Sequence, residues 1–145
     1  MESMGYASYD VIESILPYLD QYLLDIKHMN LEKHRQFTGC SNELMLENAK
    51  KIADSNMTEL SIRVPVIPGF NDRVDEIEAI ASYAASLNGV KRLYLLPYHR
   101  LGQDKYDGLG REYFMKEVLP PSNEQMQTLL GVAERVSGLP CQIGG

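Results

Sequence analysis

The sequence predicts an α/β fold with parallel strands, and three observations carry that reading. Helical and strand signals alternate along the chain, the strand runs are nearly continuous apolar stretches, and turn chemistry separates one from the next. Alternation of this kind favours parallel strands joined by right-handed crossovers. Continuous apolar runs are expected where both faces of a sheet are covered. At 145 residues and 44% hydrophobic, the chain suits one core, and 1–145 reads as a single domain.

The elements follow in order. Asp10 and Glu13 stand at capping-box spacing, and Val11, Ile12, Ile15 and Leu16 form one helical face until Pro17 intervenes. QYLLDIK (21–27) reads as a buried strand ending in charge, LEKHRQF (31–37) as a short helix, and TGCSN (38–42) as a turn. From Asn42 to Ser55, Leu44, Met45, Ala49, Ile52 and Ala53 mark a second amphipathic helix. ELSIRVPVI (59–67) is the next strand, and PGFND (68–72) is turn chemistry. Asp72 to Leu87 is a helix with Val74, Ile77, Ile80, Ala84 and Leu87 inward, and VKRLYLL (90–96) is a third strand.

Segment 98–119 has no periodicity, yet it carries Tyr98, Tyr106, Tyr113 and Phe114. Loops of this length are usually functional or disordered, and the aromatics favour an ordered lid or binding loop. Pro120-Pro121-Ser122 introduces a last helix, with Ser122 and Gln125 as a capping pair and Met126, Leu129, Leu130, Ala133 and Val136 as its buried face. Pro140 to Ile143 reads as a short terminal strand.

Composition removes several function classes. A net charge of −6 without a long basic run argues against nucleic-acid binding. No apolar stretch approaches the roughly 20 residues of a membrane span, and the start shows no signal-peptide pattern. Cys40 and Cys141 lack metal-type spacing, which favours a reducing cytoplasm over a disulfide framework. A complete small hydrolase or phosphatase fares poorly, since there is no nucleophile elbow and no phosphate-cradling glycine loop.

In parallel α/β folds, active sites form at the carboxyl ends of the strands. That rule selects Asp25-Ile26-Lys27, the run from Arg63 into Pro68-Gly69, and Tyr98-His99. Two residues apart on an extended strand, Asp25 and Lys27 share a face. Such a rim suits a polar ligand bearing a carboxylate or phosphate together with hydroxyls. A purely structural reading stands beside it: Asp25 and Lys27 as a surface ion pair, Arg63 paired with a carboxylate, His99 capping a carbonyl, and His28 and His34 as ordinary surface residues.

Three stretches then point to a family. YLLDIKHMN with KHRQFTGCSNELMLENAKKIA, IRVPVIPGFND, and LYLLPYHRLGQDKYDGLG together resemble the glycyl-radical-enzyme activating enzymes, especially the pyruvate formate-lyase activating type. The resemblance implies a radical S-adenosylmethionine protein on an incomplete (β/α)6 TIM-like barrel, of which this chain is the C-terminal half. In that family a [4Fe–4S] cluster cleaves S-adenosylmethionine to a 5′-deoxyadenosyl radical, which abstracts a hydrogen from a glycine of the partner enzyme. By resemblance, Asp25, Ile26, Lys27, His99 and Arg63 are the S-adenosylmethionine contacts. Glu2, Ser3, Asp25 and the Leu23 carbonyl stand where relatives bind a monovalent cation, and residues 2–5 match the end of the third barrel strand.

The cluster-binding Cys-x-x-x-Cys-x-x-Cys motif is absent, as is the Gly-Gly-Glu run for the methionyl amino group. The resemblance therefore implies a fragment that is inactive by itself. Its partner would be a glycyl-radical enzyme of the pyruvate formate-lyase type, with self-association through the exposed barrel edge. The alternative is a non-catalytic α/β module that binds a nucleotide-like ligand or docks a partner protein.

Overall fold

The structure is a computed structural model, and it describes residues 1–99 and 118–145. Among these, five parallel strands form one sheet in the order β1-β2-β3-β4-β5: Glu2–Ser3, Gln21–Asp25, Glu59–Val66, Val90–Pro97 and Cys141–Ile143. Five helices accompany them: α1 (Tyr9–Ile15, running into a 3-10 turn at Leu16–Tyr18), α2 (Leu31–Thr38), α3 (Glu43–Ser55), α4 (Val74–Ser86) and α5 (Asn123–Ser137). Strands that follow one another in sequence and in space, all parallel, are wound in one sense, so right-handed crossovers lay their helices on one side. This is the α/β architecture that the sequence predicts, as an open barrel wall.

Parity in the strands decides what each face does. Tyr22, Leu24 and Ile26 alternate with half-buried residues, and with Leu60, Ile62, Val64, Val66, Leu93 and Leu95 they meet the helices in one buried core. From the helices come Ile12, Leu16, Ala49, Ile52, Ile77, Ile80, Met126 and Leu129. The opposite face carries Gln21, Asp25 and Lys27 on the β2 segment and Ser61 and Arg63 on β3. The apolar runs thus suggest two covered faces, whereas one side is oily throughout and the other sets these polar residues beside the half-buried Leu23, Tyr94 and Leu96.

Local sequence explains most element ends. Asn30 caps α2 by accepting from the Lys33 N–H at 3.0 Å, and Gly39 ends the helix with φ +81°. Ser122 accepts from the Gln125 N–H at 3.1 Å, as the spacing predicts. The Asp10–Glu13 capping box does not form. Helix α1 starts two residues earlier, with Ser8 as N-cap, so Asp10 lies in the first turn and favours the helix only through its charge. Val11, Leu44 and Val74, expected inward, are exposed because each helix turns a narrower stripe to the sheet. Gly5 has φ +67°, and a Cβ there would meet Leu24 Cδ1 at 3.0 Å, so this turn needs glycine on both counts. The binding loop expected over 98–119 lies, apart from its ends, outside the described residues.

Candidate functional site

The polar face converges where β1, β2 and β3 approach their carboxyl ends. The register sets Asp25 opposite Arg63 and Glu2 opposite Leu23, so Glu2 and Asp25 follow one another along the same face. Arg63 Nε donates to Asp25 Oδ1 at 2.8 Å, and its Nη1 reaches Glu2 Oε1 at 2.7 Å. Arg63 and Asp25 are largely sheltered while Glu2 is open to solvent. Burial works against the guanidinium's charge, but the hydrogen bonds it donates to Asp25 and Glu2 outweigh this and raise Arg63 above its ordinary value. Asp25 therefore pairs across the register with Arg63, in place of the Asp25–Lys27 ion pair of the purely structural reading.

Lys27 lies two residues past Asp25 on the same side, with its ammonium 3.8 Å from the Met4 thioether sulfur. Ile26 between them turns the other way and is buried in the core, so its side chain is unavailable to a ligand on the polar face. Its backbone N–H donates to the Arg63 carbonyl at 2.9 Å. His99 is exposed and lines a separate hollow of about 440 Å³ with Pro97, Pro121, Met126 and Ile143. The structure thus brings together Asp25, Arg63, Glu2 and the neighbouring Lys27, and does not join His99 to them.

For the cation reading, Glu2 and Asp25 are already neutralised in part by Arg63, and the Ser3 hydroxyl accepts from the Gly5 N–H at 3.0 Å. A monovalent cation would compete with Arg63 for both carboxylates. An iron–sulfur cluster does not fit. Among the described residues no three His, Cys, Asp or Glu side chains converge, and Cys40 and Cys141 sit on different elements.

Behind the rim lies a buried network that sequence reasoning missed. His28 and His34, read as surface residues, are 4% and 1% exposed. His28 Nδ1 accepts from the Asn30 N–H at 2.9 Å, which leaves Nε2–H to face Glu76 Oε1 at 3.2 Å. Glu76 also takes the Lys33 ammonium at 2.8 Å and the Arg73 N–H at 3.3 Å. Burial alone would push this carboxyl up; those donors override it and hold it below the ordinary range. His34 Nδ1 donates to the Cys40 carbonyl at 2.7 Å. Asn42 ties the His28 and Met29 carbonyls, each at 2.9 Å. One signal was available: His28 continues the every-second-residue series Tyr22, Leu24, Ile26.

Comparisons with known proteins bear on this arrangement. No protein-family model matches the chain. It is 37% identical over 132 residues to the indoleacetate decarboxylase activating enzyme of Tractidigestivibacter scatoligenes, covering 91% of this chain and 41% of that protein. It is 38% identical over 125 residues to the pyruvate formate-lyase 1-activating enzyme of Escherichia coli K12, covering 86% and 50%. Among solved structures, a domain of pyruvate-formate lyase-activating enzyme from Bacteroides vulgatus superposes with a TM-score of 0.79 at 26% identity, covering 99% of this chain and 79% of that one. The chain spans half or less of the length of the curated relatives it matches here.

Proposed function

We propose, from its similarity to glycyl-radical-enzyme activating enzymes, that the chain is the carboxyl-terminal part of a radical S-adenosylmethionine activase. The activase would install a glycyl radical on a lyase or decarboxylase of the pyruvate formate-lyase kind, and would work in the cytoplasm. S-adenosylmethionine and an iron–sulfur cluster together supply the radical chemistry in such enzymes; this chain's described residues fit the first and not the second.

The observation that carries the proposal is the gathering of Asp25, Arg63 and Lys27 on the polar face at the carboxyl ends of β2 and β3. Lys27 offers an ammonium to the ligand's carboxylate. Asp25 offers oxygens to its hydroxyls or amino group, and Arg63 holds Asp25 in place. Ile26 would contribute only through its backbone, and His99 would have to approach from its own hollow. Glu2, Ser3, Leu23 and Asp25 are the proposed monovalent-cation site.

Calorimetric titration of S-adenosylmethionine into the longest product of the gene tests the reading. Lys27→Ala is expected to weaken binding about tenfold or more, as loss of a charged hydrogen bond does. Wild-type affinity in both Lys27→Ala and Asp25→Ala would overturn the site. The isolated 145-residue chain is expected to be inactive and to self-associate through its open barrel edge. A monodisperse monomer at all micromolar concentrations in light scattering would refute the latter.

A further inference from the structure

We propose that Asn71 is the positioning residue of the Lys27 site, a role that rests on the cofactor reading above. The β2–β3 ladder is complete as far as the Ile26 N–H bond to the Arg63 carbonyl. The next rung of a parallel ladder would call on an N–H at Pro65, and proline has none. Lys27 therefore lies where the sheet has stopped holding the chain. Asn71, fully buried in the turn after β3, takes over. Its amide nitrogen donates to the Lys27 carbonyl at 2.7 Å and to the Pro65 carbonyl at 2.8 Å, and its oxygen accepts from the Ile67 N–H at 2.7 Å. One side chain thus clamps the two strand ends together from 44 residues away, and all of its hydrogen-bonding capacity but one lone pair is spent on backbone.

The amino-terminal side of Lys27 has a matching tether. Asn48, also fully buried, donates to the Gly5 and Ala7 carbonyls, each at 2.8 Å, and so fixes the turn that carries Met4 against the Lys27 ammonium. Lys27 is therefore aimed by its own carbonyl, through Asn71, and by its neighbour Met4, through Asn48. A ligand-binding lysine on a flexible stem gains most from such constraint, because a displacement near 1 Å can cost about a hundredfold in function.

A double-mutant cycle on the longest product of the gene reads this directly. Asn71→Ala is expected to weaken S-adenosylmethionine binding about tenfold, and the same substitution in a Lys27→Ala background to weaken it little further. Additive losses would overturn the positioning role and leave Asn71 as a structural residue alone. If Asn71→Ala fails to fold, Asn71→Ser keeps one donor and is expected to give an intermediate loss with the same non-additivity. A second readout needs no ligand: the rate at which limiting acetic anhydride modifies Lys27, followed by peptide mass spectrometry relative to the other lysines. Asn71→Ala is expected to raise that relative rate at Lys27 alone. An unchanged rate refutes the positioning role, whereas a raised rate together with wild-type ligand affinity in Lys27→Ala refutes the cofactor reading instead.

Discussion

The two faces of one sheet are built to different rules, although β2 and β3 contribute to both. On the helix side, Tyr22, Leu24, Ile62 and Val64 are almost wholly buried, and the forces are non-directional packing and water exclusion. On the polar side, Asp25, Arg63 and Glu2 are held by directed hydrogen bonds, and Glu2 is open to solvent. The helix side tolerates little change in volume. The polar side tolerates change in stability terms but not in geometry. A residue's parity in the strand therefore says which kind of damage its loss will do.

Experiments can break that contrast in order of expected size. Ile62→Ala, at a fully buried site, should lower unfolding free energy by about 3 kcal/mol in urea titration, with little direct bearing on ligand contacts. A value below about 1 kcal/mol would mean the helix side is not the stabilising one. Glu76→Ala, which orphans His28 and Lys33, should cost about 2 kcal/mol. Glu76 also sets an acid dependence. Its folded carboxyl binds a proton less readily than the unfolded one, so its contribution is complete above the ordinary glutamate range and is lost as pH falls through its lowered folded value. Glu76→Gln should therefore show a shallower loss of stability in acid than the wild type; parallel curves would contradict the assignment.

Arg63→Ala comes next, with an expected change in stability of at most about 1 kcal/mol, since its ion pairs are partly solvated. Its effect on S-adenosylmethionine affinity should exceed its effect on stability, and the reverse order would dissolve the distinction between the faces. Val11→Thr, on the solvent side of α1, should stay within about 0.5 kcal/mol and set the floor of the series.

Much of this was legible in the sequence, and the failures share a cause. Strands β3 and β4 lie within one residue of where apolar runs and turn residues put them, and the Ser122 cap is where its spacing puts it. Asp25 and Arg63 were singled out from strand ends alone. What failed depended on partners far away in the chain. His28 needs Glu76, 48 residues on, and Asn71 needs Lys27, 44 residues back. Composition and periodicity describe neighbours along the chain; they carry no information on which distant acceptor a turn asparagine will find. The Asp10 cap failed for a local reason, because Ser8 offers a competing start two residues earlier.

The ring of Phe37, 43% exposed, stacks on the nearly buried Phe70 at 4.0 Å with planes 14° apart, and Phe70 adjoins Asn71. These 145 residues include no tryptophan, so the ultraviolet emission of this chain comes from tyrosine against a dark background at longer wavelengths. Phe37→Trp would place a single indole at the open end of that stack. Its emission colour and quenching would then report, in real time and without a label, every displacement of the turn that grips the two strand ends.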